Sequence, residues 1–203
     1  MATSLIDLDY ITFDIPNKDE INNEILSRII PMSLNPKTGD ERTNRGGWQS
    51  PASDYDKRDD NPAYDMNRVV DPIIQRVYSE YDKLVSNMTF RKHINTNYNL
   101  YYWFNVNYEG DYNVDHCHAP IHPDSPPVLL SGCYYIHVPE ESGKFVFRGI
   151  KEHLKPYFEN RVDDAMLPKS GECMLFCPSK THYVETSASK DLRISMAFDL
   201  ILG

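Results

Sequence analysis

The sequence lacks three features that would assign the protein to a specialised class. No apolar run approaches the roughly 18 residues of a membrane-spanning helix, and the first residues, MATSLIDLDYITF, lack the basic region and apolar core of a secretory signal. A basic patch is also missing, since 21 Lys and Arg face 30 Asp and Glu for a net charge of −9, whereas nucleic-acid binding requires clustered cations. We therefore expect a cytoplasmic protein that binds neither membranes nor nucleic acids.

Cysteine is scarce as well, and its spacing argues against a structural metal site. The chain has four cysteines, at positions 117, 133, 173 and 177. Cys173 and Cys177 are four residues apart, but no second pair at zinc-finger spacing accompanies them. We expect free, buried thiols in a reducing compartment.

The first half of the chain carries the helical patterns. A half-buried strand over 10–15 precedes a helix that Asn17 caps, and Asn67 is the expected cap of a second helix with an amphipathic apolar stripe. Between them, residues 31–62 are polar and rich in turn formers, which predicts a long loop. This loop either packs over a site through Trp48 or is a mobile surface loop.

The second half is rich in strand patterns. Seven or eight short β-prone runs, separated by turns, follow one another from residue 99 to residue 201, which is typical of an antiparallel sandwich or barrel. The predicted fold class is therefore α+β, mainly β, with two N-terminal helices packed on the sheet. We expect a single domain over 1–203, with the strand, helices and loop in 1–98 and the β core in 99–203. Exposed sheet edges could pair into a homodimer.

Histidines form the most informative cluster. Side chains two residues apart share a face of a strand, so His116 and His118, in a predicted strand over 112–118, would point the same way. Imidazole is the commonest metal ligand in proteins, and a remote histidine such as His182 could complete one face of a metal site. His122 is a weaker fourth candidate because Pro120 breaks the strand pattern. His93 is expected at the end of the second helix, where a cation interacts favourably with the helix dipole, and His137 and His153 are interpreted as structural or surface residues.

Arg193 marks a polar face of the last strand. Arg193, Ser195 and Ala197 share one face, and the other face is wholly apolar, with Ile194, Met196 and Phe198. A guanidinium can bind a carboxylate through two parallel hydrogen bonds, and a neighbouring hydroxyl can add a third. Beside the histidine cluster, this pattern favours a bound carboxylate over an internal ion pair.

Several motifs, taken in order, resemble those of the 2-oxoglutarate/Fe(II)-dependent oxygenase superfamily. More narrowly, they are similar to a little-characterised oxygenase family known from marine bacteria and their phages. The resemblance covers about residues 100–201, half of the chain. It rests on these segments: His116-Cys-His118, Leu130-Ser-Gly-Cys-Tyr-Tyr-Ile136, Ser170-Gly-Glu-Cys-Met-Leu-Phe-Cys-Pro-Ser179, His182 and Arg193-Ile-Ser195.

This resemblance implies a double-stranded β-helix, or jelly roll, with Fe(II) at its open end and 2-oxoglutarate as cosubstrate. His116 and His182 are the implied first and distal metal ligands, and Arg193 with Ser195 is the implied anchor of the C5 carboxylate. Asn105 or Tyr134 could also contact 2-oxoglutarate. The implied reaction couples decarboxylation of 2-oxoglutarate to oxidation of an unknown substrate, either a protein side chain or a small molecule.

The middle ligand position departs from the superfamily pattern. Most members have Asp or Glu two residues after the first histidine, whereas this chain has His118. Asp115 or Asp124 could supply a carboxylate instead, so the middle ligand and the metal stay open. Two alternatives follow: a three-His, cupin-like dioxygenase that does not use 2-oxoglutarate, and a non-catalytic or zinc-holding jelly-roll binding or structural module.

Overall fold

The computed structural model describes residues 10–57, 65–86, 98–119, 125–149 and 163–202. Two helices and a set of antiparallel strands make up these residues, which confirms the predicted α+β, mainly β class. Neither helix is long and apolar enough to cross a membrane.

Both predicted helices are present, with boundaries that differ from the prediction. Helix α1 (Lys18–Ser33) continues through Pro31, where a loop was expected to begin. Helix α2 (Met66–Ser86) contains Asn67 in its first turn. Asn67 is therefore not the cap: the Asp65 carboxylate accepts a hydrogen bond from its backbone N–H at 3.0 Å, as a capping side chain does.

The strands form two antiparallel sheets. The larger sheet has seven strands, ordered β1-β10-β7-β12-β5-β3 with β4 also paired to β5, and the smaller has five, ordered β2-β6-β11-β8-β9. Their bounds are β1 (Ile11–Asp14), β2 (Asn44–Arg45), β3 (Trp48–Gln49), β4 (Ser53–Asp54), β5 (Tyr98–Asn107), β6 (Tyr112–His116), β7 (Val128–His137), β8 (Phe145–Phe147), β9 (Asp164–Met166), β10 (Glu172–Phe176), β11 (His182–Val184) and β12 (Arg193–Leu202).

Apolar side chains pack on both faces of the larger sheet. On the outer face, the stripe of α2 is buried against the sheet as predicted, at Val70, Ile73, Ile74, Val77 and Tyr81. On the inner face, a second cluster joins the two sheets: Cys133, Tyr135, Phe145, Phe147, Met174, Phe176 and Val184. Two sheets packed face to face with helices outside are the jelly-roll arrangement that the sequence predicts.

The segment between the helices, expected to be a long loop, contains three strands of two residues each and a short 3-10 helix, Pro36–Thr38. Trp48 is buried on the helix side of the larger sheet, and its indole N–H donates to the Thr38 hydroxyl at 3.2 Å. The prediction that Trp48 packs over a site is therefore wrong. Its neighbour Gln49 lines the cavity between the sheets, together with Arg42 and Thr43 from the same segment.

Candidate metal centre

The three predicted metal ligands meet at one end of the sandwich. His116 ends β6 and His182 begins β11, and the two are paired across these strands. His118 lies just beyond β6, and its backbone N–H donates to the Pro178 carbonyl at 2.8 Å. One ligand atom from each of the three imidazoles lies within 4.8 Å of the other two, so the group could hold a metal ion.

In all three rings, the Nδ1 atom lies within hydrogen-bonding distance of an oxygen acceptor. The Nδ1 atom of His116 lies 2.7 Å from the Val114 carbonyl, and that of His182 lies 2.9 Å from the Lys180 carbonyl. The Nδ1 atom of His118 lies 2.6 Å from a carboxylate oxygen of Asp199. Because a carbonyl or carboxylate can only accept, each Nδ1 carries the proton and each Nε2 keeps a free lone pair. Three Nε2 lone pairs are therefore available for a metal.

Burial keeps two of these imidazoles neutral. Desolvation lowers the pKa of His116 below its usual range, and burial together with the neighbouring rings of His116 and His118 lowers the pKa of His182 well below it. The ring of His182 packs against three phenylalanines: Phe145, Phe147 and Phe176. Neutral imidazole is the form that binds metal, so the lowered pKa values favour metal binding at neutral pH. Protonation of the rings in acid would oppose it.

The lowered pKa values predict that the metal-free protein loses stability in acid. Near pH 6 the unfolded chain binds protons at His116 and His182 that the folded chain does not, so the free energy of unfolding rises with pH. That stability is complete above the ordinary pKa of 6.5 and is lost as the pH falls below it. The slope can reach about 1.4 kcal/mol per pH unit for each histidine. Urea unfolding between pH 7.5 and 5.5 measures it, and an identical slope in His182→Gln would contradict the assignment.

Arg193 is a buried cation that forms no ion pair with any of the residues that the structure describes. The side chain is 2% exposed and lines the same cavity of about 400 Å³ as the three histidines. Its Nε and Nη2 atoms have no hydrogen-bond partner among the residues that the structure describes. Leaving donors of a buried guanidinium unpaired is costly, so the arrangement suits a site whose ligand supplies the carboxylate. The alternative of an internal ion pair is not supported within the described residues.

Of the three other residues predicted to contact 2-oxoglutarate, Ser195 and Asn105 line the cavity and Tyr134 does not. Ser195 and Asn105 are paired across β12 and β5, and both side chains face the cavity. Tyr134 faces the helices, and its hydroxyl donates to the Asn22 side chain at 2.6 Å. This placement corrects the prediction for Tyr134. The next residue, Tyr135, is the one on the inner face, with the Arg193 guanidinium 5.5 Å from its ring centroid.

Asp115, the one proposed substitute carboxylate among the described residues, does not reach the site. Both oxygens of Asp115 accept hydrogen bonds from Arg148, at 2.9 and 2.8 Å, and the side chain is 45% exposed. Asp115 is thus held away from the three imidazoles, as its position on the other face of the strand requires. Asp124 and the fourth candidate, His122, lie outside the described residues.

Of the remaining histidines, only His137 lies within the described residues, and it is not part of the cluster. His137 is exposed at the end of β7, in agreement with its interpretation as a surface residue. His93 and His153 lie outside the described residues. Cys117, between two of the candidate ligands, is exposed and lines the cavity.

Sequence reasoning missed Asp199. Its side chain lies on the cavity face of β12, where it accepts hydrogen bonds from His118 and from the Ser131 hydroxyl, each at 2.6 Å. The signal was present in the sequence, because Asp199 is an even number of residues from Arg193 and therefore shares its face. An acidic residue in that position predicts a cationic or hydrogen-bonding partner in the cavity.

A family model matches the part of the chain that contains the candidate site. The family model described as "Putative 2OG-Fe(II) oxygenase" matches residues 101–199. This span contains every predicted site residue and Asp199. No curated protein sequence matches the chain.

Several solved structures have a fold similar to that of this chain. The chain is similar to a prolyl-4-hydroxylase from Pseudomonas putida, with a TM-score of 0.64, 12% identity, and coverage of 96% of this chain and 92% of that one. A viral collagen prolyl hydroxylase from Paramecium Bursaria Chlorella virus-1 gives 0.58 and 17%, with 96% of each chain covered. SnoK, an alpha ketoglutarate dependent carbocyclase from nogalamycin biosynthesis, gives 0.64 and 11%, covering 95% and 79%.

Proposed function

We propose that this chain, which is similar to the 2OG-Fe(II) oxygenases over residues 101–199, is a dioxygenase that couples decarboxylation of 2-oxoglutarate to oxidation of a second substrate. The observation that carries this proposal is the buried guanidinium of Arg193, whose Nε and Nη2 have no hydrogen-bond partner among the described residues and which lines the same cavity as the three imidazoles. A 2-oxo dicarboxylic acid has two ends that match these two features. One end chelates a metal, and the distant carboxylate can accept the free hydrogen bonds of Arg193.

The side chains present fit Fe(II) and 2-oxoglutarate. His116, His118 and His182 would hold the metal, since neutral imidazoles are good ligands for Fe(II) and leave other coordination positions open. Arg193 would bind the C5 carboxylate, with Ser195 and Asn105 close enough on adjacent strands to add hydrogen bonds. Bound Fe(II) and 2-oxoglutarate supply the oxygen chemistry, while this chain orients them and excludes water.

Aromatic side chains form an apolar wall of the cavity beside the histidines. Phe145 and Phe176 line the cavity beside His182, and Trp103 lies 5.7 Å from the ring of His118. Such a wall strengthens the electrostatic attraction between Arg193 and a carboxylate, because the effective dielectric constant falls where water is excluded.

The oxidised substrate is proposed to be a protein side chain or a small molecule. Trp103 and Tyr101 project from β5 into the cavity, and Ala197 and Ile201 project from β12. This mixture of aromatic and aliphatic side chains suits an apolar group of the substrate next to the metal.

The three-imidazole ligand set favours a second candidate function. Three histidines also bind zinc in proteins, and three-His sites can hold iron without a cosubstrate. A zinc-holding module or a cupin-like dioxygenase would have that ligand set. Neither function gives a role to the buried Arg193, whose Nε and Nη2 lack partners in the part of the chain that is described, which is why we prefer the 2-oxoglutarate-dependent reaction.

The test is turnover of 2-oxoglutarate in the presence of Fe(II) and oxygen. We expect succinate to form with Fe(II) and not with Zn(II), at the slow rate of an oxygenase without its second substrate. Oxygen consumption that is independent of 2-oxoglutarate would favour the three-His dioxygenase. Loss of succinate formation under every condition, in a protein that binds Zn(II), would favour the non-catalytic module.

A further inference from the structure

Asp199 occupies a position that links the two halves of the proposed site. It lies on β12 on the same face as Arg193, and it is paired with Ser131 of β7 and Tyr101 of β5. Its Oδ1 atom accepts the Nδ1 proton of His118 and the hydroxyl proton of Ser131, each at 2.6 Å. The side chain of His118 is 9% exposed and that of Asp199 is 15% exposed, so little water competes for this contact.

His118 differs from the other two candidate ligands in what stands behind it. Backbone carbonyls, which are neutral, accept the Nδ1 protons of His116 and His182. A carboxylate accepts that of His118. A carboxylate in this position fixes the tautomer and orientation of a metal-binding histidine and makes its Nε2 more basic. His118 is thus the one ligand of the three with an anion directly behind it.

We propose that Asp199, acting through His118, positions the middle ligand and supplies the negative charge that this ligand lacks. The inference rests on the proposed function, in which three neutral imidazoles leave both charges of Fe(II) uncompensated. With 2-oxoglutarate bound, the charges of Fe(II), the cosubstrate dianion, Arg193 and Asp199 cancel. Without Asp199, the same buried site would carry a net positive charge, which is unfavourable at low dielectric constant.

Ser131 completes the arrangement. Its hydroxyl donates to the Asp199 oxygen that also accepts from His118, so it helps to fix the carboxylate for that contact. Asp199 is therefore assigned as a positioning residue, since it would act on the metal through the ring of His118.

The test compares the metal affinity of full-length wild-type protein with that of Asp199→Asn, Asp199→Ala and Asp115→Asn. Asn keeps an oxygen that can accept from His118 and removes only the charge, whereas Ala removes both. Anaerobic Fe(II) and Co(II) titrations without 2-oxoglutarate should show affinity falling about 10–100-fold in the Ala variant, with Asn between Ala and wild type. The matched control Asp115→Asn removes a charge from the strand that carries His116, and its affinity should stay within about twofold because that carboxylate is exposed.

A second readout separates positioning from a merely structural role. In the Zn(II)-loaded protein, the Nδ1 proton of His118 should give a strongly downfield proton resonance, which shifts upfield in Asp199→Asn and disappears in Asp199→Ala. Equal metal affinity in all four proteins would overturn the inference even if 2-oxoglutarate is turned over. Graded affinity in a protein that never turns over 2-oxoglutarate would overturn the proposed function and leave the role of Asp199 intact.

Discussion

Replacing His182 by alanine is expected to abolish stoichiometric Fe(II) binding and, with it, formation of succinate from 2-oxoglutarate. The variant removes one of three nitrogen donors that lie within 4.8 Å of one another. The affinity loss should exceed the roughly 10–100-fold that follows removal of a group that only supports a ligand. Anaerobic iron titration, followed by metal analysis of the desalted protein, measures it, and His116→Ala should behave in the same way.

The matched control is His137→Ala, since His137 is exposed at the end of β7 and away from the cluster. It should bind iron as the wild-type protein does. Circular dichroism should show that the sheets persist in both cluster variants. Full iron stoichiometry in His116→Ala and His182→Ala would contradict the assignment of these residues as ligands.

Replacing Arg193 by methionine is expected to raise the 2-oxoglutarate requirement and to stabilise the metal-free protein. Loss of one charge-assisted pair costs about 1.5–3 kcal/mol, which corresponds to at least a tenfold higher half-saturating concentration. The stabilisation follows because Arg193 is a buried cation, 2% exposed, with Nε and Nη2 unpaired within the described residues. Replacing such a charge by an apolar side chain of similar length removes its desolvation cost.

Thermal unfolding with and without 2-oxoglutarate checks both effects. Added Fe(II) and 2-oxoglutarate should raise the melting temperature of the wild-type protein more than that of Arg193→Met. Arg193→Lys is the control that keeps the charge but loses the two-pronged geometry, so its 2-oxoglutarate requirement should fall between the two. An unaltered requirement in Arg193→Met would mean that Arg193 has only a structural role.

The last strand was the most predictable part of the site. Alternation along β12 placed Arg193 and Ser195 on a polar face, and the structure has both on the cavity side with Ile194, Met196 and Phe198 on the other. The polar face can be predicted from the sequence because one side of the strand is wholly apolar and the other is not. The same alternation contained Asp199, but its partner His118 belongs to a distant strand, so the contact itself could not be read.

The sequence of β7 does not show which of its faces points to the cavity, so the position of Tyr134 on the helix side could not be predicted. Residues 130–136 are buried on both faces of this strand, against the helices on one side and the second sheet on the other. A strand covered on both sides has no hydrophobic alternation to mark its inner face. The pairing with β12 decides the matter, since Ser195 lies opposite Tyr135.

The histidine cluster was predictable in its members but not in its geometry. Alternation along β6 placed His116 and His118 together, although the strand ends at His116 and His118 lies beyond it. The pairing of His116 with His182 depends on the order of strands in the smaller sheet. That order is set by long-range packing, which local pattern does not encode.

The sequence predicts a loop between the helices because the strands in this segment are too short to show a pattern. Strands β2, β3 and β4 have two residues each, too few for a period-2 pattern to be recognised. Their pairing to β5 and β6 orders the segment and brings Arg42, Thr43 and Gln49 to the cavity. Only the tertiary contact identifies these residues as part of the wall.

The central claim is that one cavity holds both a metal and a 2-oxo acid, the metal through three histidines and the acid through Arg193. Anaerobic titration with Fe(II), with and without 2-oxoglutarate, tests it most directly. We predict a weak charge-transfer band in the visible that requires both components and that is lost or displaced to much higher 2-oxoglutarate concentration in Arg193→Met. Iron binding without this band at any 2-oxoglutarate concentration would contradict the claim and favour a three-His dioxygenase, and no iron binding would favour the zinc-holding or non-catalytic module.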